Sequence, residues 1–164
     1  MTFFAFVLLA TSFHTVPDTL VGRYALDPGA GDDPAAVAEQ VTRDVGRLRR
    51  GPMRDRLKEV LTPSPTLEIR REDPSFVITD AEGRSLRVVP GGPEVTQETP
   101  EGEAARITAS LDGESLTIRI RTVRGERVQT LTPTDSGLRM VNTYTVEQLS
   151  EPIRIELVYR RDGA

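Results

Sequence analysis

The hydrophobic period of this chain changes at Pro65, and that change limits its folds more than any other feature. Before Pro65 apolar residues recur at helical steps, and after it they alternate. A short strand, Leu20 to Leu26, precedes the helical segment Asp33 to Leu61, and short alternating runs then continue to Tyr159. A flat sheet built from so many runs would leave two long edges and one bare apolar face. Closure hides both. The pattern therefore predicts a mainly β fold, a single antiparallel up-and-down β-barrel of about ten strands with a helix-turn-helix inserted after strand 1.

Local signals place the elements. Asp33 before Pro34 supplies a capping acceptor and a proline at the first helical position, where its missing amide costs nothing. Val37, Val41, Val45 and Leu48 form one stripe. Gly51 and Pro52 predict a break, after which Met53, Leu57 and Val60 or Leu61 resume a second helix. Pro63 and Pro65 end the segment. Beyond it Leu67 and Ile69, Phe76 and Ile78, and Leu86 and Val88 form alternating pairs, followed by a weak strand near Val95. Asp112-Gly113 and Arg124-Gly125 mark hairpin turns around Leu116, Ile118 and Ile120. A strand over Val128 to Thr132 follows. Leu138, Met140, Asn142, Tyr144 and Val146 share one face of the next strand, and Ile153, Ile155, Leu157 and Tyr159 one face of the last.

Composition narrows the function classes. The 164 residues suit one domain. A net charge of -4 recruits no nucleic acid by itself, and few aromatics lie in the body of the chain to stack bases or sugars. There is no cysteine, so disulfides, thiolate metal sites and cysteine nucleophiles are excluded. His14 is the only histidine, and neither a histidine-dependent triad nor a zinc site can be assembled around it. Asp27, Asp32 and Asp33 flank Pro28 to Gly31, but a turn and a helix cap explain them better than calcium does. Neither metal nor cofactor is expected, and no catalytic constellation is visible. At the N-terminus, Phe3 to Ala10 is a compact apolar run with small or hydroxyl residues at Ala10 and Ser12. Residues 1–16 therefore read as a signal peptide or an apolar N-terminal segment, and 17–164 as the barrel domain with a helical lid over 33–61. The first alternative implies export to a periplasmic or extracellular location, the second a cytoplasmic one.

The run Leu20-Val21-Gly22-Arg23-Tyr24-Ala25-Leu26 resembles the first strand of the lipocalin and fatty-acid-binding protein superfamily, whose signature is a glycine, any residue, then tryptophan. Tyr24 stands at the tryptophan position. The resemblance implies that Gly22 lets the strand bend while Tyr24 closes the barrel floor. A helical pair after strand one is similar to the fatty-acid-binding branch rather than to the secreted lipocalins. That branch commonly grips a carboxylate with an arginine two residues before a tyrosine on its last strand. Here the residue two before Tyr159 is Leu157. The clamp is not carried over, so the expected ligand is neutral and apolar.

The resulting expectation is non-enzymatic binding or transport of a small lipophilic ligand inside the barrel. Its candidate lining is Tyr24, Ile118, Ile120, Met140, Asn142 and Tyr144, with Leu157 and Tyr159, a mixture of apolar wall and polar tips. A barrel filled by its own side chains, serving as a ligand-free structural or protein-interaction domain, is the alternative. Arg43, Arg47, Arg49, Arg50, Arg54, Arg56 and Lys58 make the helical pair basic. Such a run either steers an anionic ligand and touches an anionic membrane surface weakly, or is a solvated face laced with charge pairs. No obligate protein partner is predicted. Arg119, Arg121 and Arg139 should face outward by alternation.

Overall fold

In the computed structural model, residues 18–99, 102–147 and 149–163 are described, and the apolar run Phe3 to Ala10 lies outside them. A 3-10 turn, Asp18–Leu20, leads into β1 (Gly22–Leu26), and two helices follow, α1 (Pro34–Val41) and α2 (Arg47–Leu61). The remaining strands are β2 (Thr66–Glu72), β3 (Ser75–Asp80), β4 (Ser85–Val88), β5 (Val95–Glu98), β6 (Ala104–Asp112), β7 (Ser115–Thr122), β8 (Gly125–Thr134), β9 (Gly137–Val146) and β10 (Ile153–Arg161). They form one antiparallel sheet in the order β4-β3-β2-β1-β10-β9-β8-β7-β6-β5. This is the up-and-down order expected, with β1 pairing both with β2 and with the last strand, β10. The hydrogen-bonded ladder ends at β4 and β5. Near that seam the Gly91 amide donates to Ala109 O at 2.8 Å, so the β4–β5 connection folds against β6. Among the described residues no helix is long and apolar enough to cross a membrane.

Antiparallel alternation gives the barrel two ends. The helical pair shares its end with the β3–β4, β5–β6, β7–β8 and β9–β10 connections, and we call this end the mouth. The 3-10 turn lies at the other, the floor. Inside, Leu20, Tyr24, Ile69, Leu116, Leu131 and Leu138 are fully buried and belong to one continuous core. Each such aliphatic side chain contributes about 1.5–3 kcal/mol through burial.

The helices depart from expectation in one respect. Asp33 Oδ1 accepts from the Ala35 amide at 2.9 Å and Pro34 opens α1, as the cap signal implies. The break, however, falls over residues 42–46 and not at Gly51-Pro52. The buried Thr42 hydroxyl donates to Ala38 O at 2.8 Å, competing with the helical pattern where α1 ends, well before Gly51. Pro52 then sits inside α2. The carbonyl it leaves without an amide partner is that of Leu48, a residue 95% exposed, where water can serve. Leu48 therefore leaves the apolar stripe, which is carried instead by Ala38, Leu57 and Leu61 with Val37, Val41 and Met53 beside them.

The floor is held by one cation. Arg161 Nη1 donates to Val21 O at 3.0 Å, and Nη2 donates to Thr19 O at 2.6 Å and to the Tyr24 hydroxyl at 3.1 Å. The Tyr24 hydroxyl in turn donates to Leu20 O at 2.8 Å, and the guanidinium lies 5.3 Å from the centre of the Tyr24 ring. Tyr24 thus closes the floor as the resemblance implied. Gly22 has a use beyond the bend expected of it. A Cβ there would meet Arg161 Nη1 at 3.1 Å, so the glycine makes room for the guanidinium.

A second latch seals β10 where β1 runs out. The Asp32 amide donates to Glu156 O and the Glu156 amide donates to Asp32 Oδ2, both at 2.7 Å. Gly31 permits the approach, since a Cβ there would lie 2.7 Å from Glu156 O. On the outer wall Arg139 and Arg154 both pair with Glu156, and Arg119 and Arg121 both pair with Glu126. These arginines face outward, as alternation required. The helical pair is different. Among the described residues, none of Arg43, Arg47, Arg49, Arg50, Arg56 and Lys58 has a carboxylate within ion-pair distance, and Arg54 only reaches Asp55 at 4.0 Å.

Two outcomes follow from these latches. Tyr24→Phe removes a buried donor and an acceptor for Arg161, and should cost about 1–2 kcal/mol in urea unfolding. The hydrogen bond from Arg139 holds the Glu156 carboxyl down to about 2, from an ordinary 4.5. Because the folded value is the lower one, Glu156 contributes stability above pH 4.5 that is lost as pH falls through about 2. Glu156→Gln should flatten that acid limb in thermal melts recorded across the window, and an unchanged limb would assign it to other carboxylates.

Candidate functional site

Along β7 to β10 the inward face changes character from floor to mouth. Leu116, Leu131 and Leu138 form an apolar layer at the floor. The next rung pairs Ile118 with Gln129, Gln129 with Asn142 and Asn142 with Ile155. Above it Ile120 pairs with Arg127, Arg127 with Tyr144 and Tyr144 with Ile153. Directly paired residues share a face, so Arg127, Gln129, Asn142 and Tyr144 all project inward.

These polar groups touch one another but do not satisfy one another. Arg127 Nη2 donates to Gln129 Oε1 at 3.3 Å. Gln129 Nε2 and Asn142 Nδ2 both donate to Met140 Sδ, at 3.1 and 3.3 Å. A thioether is a weak acceptor, so two amides are served by little. Arg127 Nε and Asn142 Oδ1 are buried with no hydrogen-bond partner. Among the described residues Arg127 also has no carboxylate within ion-pair distance, unlike the paired arginines of the outer wall. A buried donor of positive charge beside a free carbonyl oxygen is costly unless something fills the gap. Such a pair can take an acid or another strongly accepting polar head while the surrounding wall holds an apolar body.

The eight residues expected to line a site divide between two regions. Tyr24 belongs to the floor, where its hydroxyl is committed to Leu20 O, and burial pushes that hydroxyl's pKa up. Tyr159 is committed likewise, donating to Ser64 O at 3.0 Å, and burial raises its pKa as well. Leu157 faces inward and also borders a crevice of ≈ 200 Å³ where Leu26 and Pro63 meet β10. Ile118, Ile120, Met140, Asn142 and Tyr144 surround the polar rungs. Arg127 and Gln129 are not among the expected residues: a strand starting at Val128 leaves Arg127 outside it, and its alternation assigns no face to Gln129 until the pairing is known. Extending it back to the Arg124-Gly125 turn and alternating from Leu131 would have put both on the inward face. Among the described residues no group of three or more histidine, cysteine, aspartate or glutamate side chains could hold a metal ion.

No protein-family model matches the chain, and no curated protein sequence matches it. Solved structures do. A REP1-NXSQ fatty acid transporter is similar with a TM-score of 0.58 and 17% identity, over 90% of this chain and 99% of that one. Zebrafish ileal bile acid-binding protein, solved with cholic acid, gives a TM-score of 0.57 at 14% identity, over 87% and 98%. A fatty-acid-binding protein from Drosophila melanogaster brain gives 0.54 at 21%, over 86% and 98%. The fold of this chain is thus that of the fatty-acid-binding proteins, helical pair included.

If Arg127 is kept for a ligand and not for the fold, removing its charge should relieve the empty barrel. Arg127→Met is expected to raise unfolding stability without ligand by about 1 kcal/mol. A loss of that size in chemical denaturation would assign the guanidinium a structural role.

Proposed function

We propose that the protein binds a small amphiphilic molecule at the mouth end of its barrel, with an apolar body and an acidic head, and carries or sequesters it without chemical change. The observation that supports this most directly is the buried, partnerless Nε of Arg127 beside the free Oδ1 of Asn142. It revises the neutral ligand expected from the last strand, because the cation comes from β8 instead. The unneutralised arginines of the helical pair support the same reading, since a positive lid raises the local concentration of an anion at the mouth. The named ligands of two similar structures, fatty acid and cholic acid, are amphiphiles of this kind. The apolar run Phe3 to Ala10 supports placing this activity outside the cytoplasm, which mass analysis of the mature N-terminus would test.

A second reading, a ligand-free barrel that serves as a structural module, is favoured by the solid floor layer. Fluorescence of anilinonaphthalene sulfonate, an apolar anion, separates the two. Binding should be saturable and about 10–100-fold weaker in Arg127→Met, the loss expected for a charge-assisted contact, and unchanged in the outward-facing Arg121→Met. Absence of saturable binding to the folded protein would favour the structural module.

A further inference from the structure

We propose that the site takes a compact amphiphile, whose buried part ends on the Gln129–Asn142 rung, and excludes a long-chain lipid from the rest of the barrel. This rests on the ligand-binding reading above and specifies the class of molecule.

A side chain that lines a hollow keeps area that a water molecule can touch, however far it lies from the outer surface. Leu116, Leu131 and Leu138 keep 0% of theirs, so the barrel below the rung is filled by its own side chains. At the rung, Gln129 keeps 8% and Asn142 5%. One pair of residues nearer the mouth, Ile120, Arg127 and Tyr144 are only half-buried. The part of the inward face left open is therefore that of Ile120, Arg127 and Tyr144 at the mouth end, beside a buried Ile153.

Chemistry sets the orientation. The groups that lack partners, Arg127 Nε and Asn142 Oδ1, lie at and just above the rung. Arg127 and Gln129 are two residues apart on β8, roughly 7 Å along a strand. A polar head is held at that depth, and the apolar part of the ligand points toward the lid. Reaching the floor layer would require Leu131 and Leu138 to leave a well-packed core, which displaces buried leucines with no compensating contact. Carbon atoms beyond the lid return to water and add nothing to affinity.

A chain-length series of straight-chain carboxylates, read by displacement of anilinonaphthalene sulfonate, tests this directly. Affinity should rise about fourfold for each added methylene among the short acids, as burial of one methylene implies, and then level off near octanoate. A rise that continues to palmitate would overturn the proposal while leaving the binding site in place. No displacement by any acid would remove the site and this inference together. Leu131→Ala supplies a second measurement, with folding checked by circular dichroism. Octanoate affinity should stay within about twofold, because the ligand does not touch that layer, whereas a tenfold change would place the chain on the floor and overturn the proposal. If the variant does not fold, the length series on the unaltered protein decides alone.

Discussion

The pairing of β1 with both β2 and β10 is the contact on which the rest of this barrel depends. β1 is only five residues long, yet it joins β4-β3-β2 to the six strands from β10 to β5. Few backbone bonds are available at such a short seam, so side chains reinforce it. Arg161 at the end of β10 reaches across to Thr19, Val21 and Tyr24, tying the last strand to the residues that precede the first. Gly22 leaves the guanidinium its space, and Tyr24 gives it a ring to lie on and a hydroxyl to bond. Where β1 ends, Asp32 takes over its role by bonding both backbone groups of Glu156.

That closure has an energetic consequence for the interior. With the floor sealed by Leu20 and Tyr24, the inward face of β7 to β10 can be dry and tightly packed at that end. Toward the mouth the same strands carry arginine, glutamine, asparagine and tyrosine on the inside, which burial alone would disfavour. The Met140 thioether accepts from both amides, a weak partner that leaves them able to exchange it for a better one. A fold that tolerates such a group when empty gives up stability that a bound partner returns.

The distribution of arginines separates wall from lid. On the outer wall arginines are held by carboxylates on their own or a neighbouring strand, as with Arg154 of β10 and Arg139 of β9 on Glu156 of β10. Exposed pairs of this kind are individually weak, but they leave the wall electrically quiet. On α2 the charges stay open to solvent around the mouth, in a protein whose overall charge is -4.

The amino-acid sequence alone determined the strand rhythm, the helical insertion, the capped start of α1 and the inward face of β9 and β10, because each follows from local periodicity or from one or two neighbouring residues. The strand-one motif, with Tyr24 at the aromatic position, together with the order of elements, pointed to the fold that the similar solved structures share. The helix break was misplaced for a local reason, since Gly51-Pro52 is a strong stop signal until a solvent-exposed Leu48 carbonyl makes the proline tolerable. What only the tertiary structure decided is the polarity of the interior. Whether Arg127 faces in or out turns on the register of β8 against β7 and β9, and register is a property of paired strands. The solid floor is of the same kind. It depends on side chains from β1, β2, β7, β8 and β9 and a 3-10 turn meeting in one volume, which no single stretch of sequence encodes.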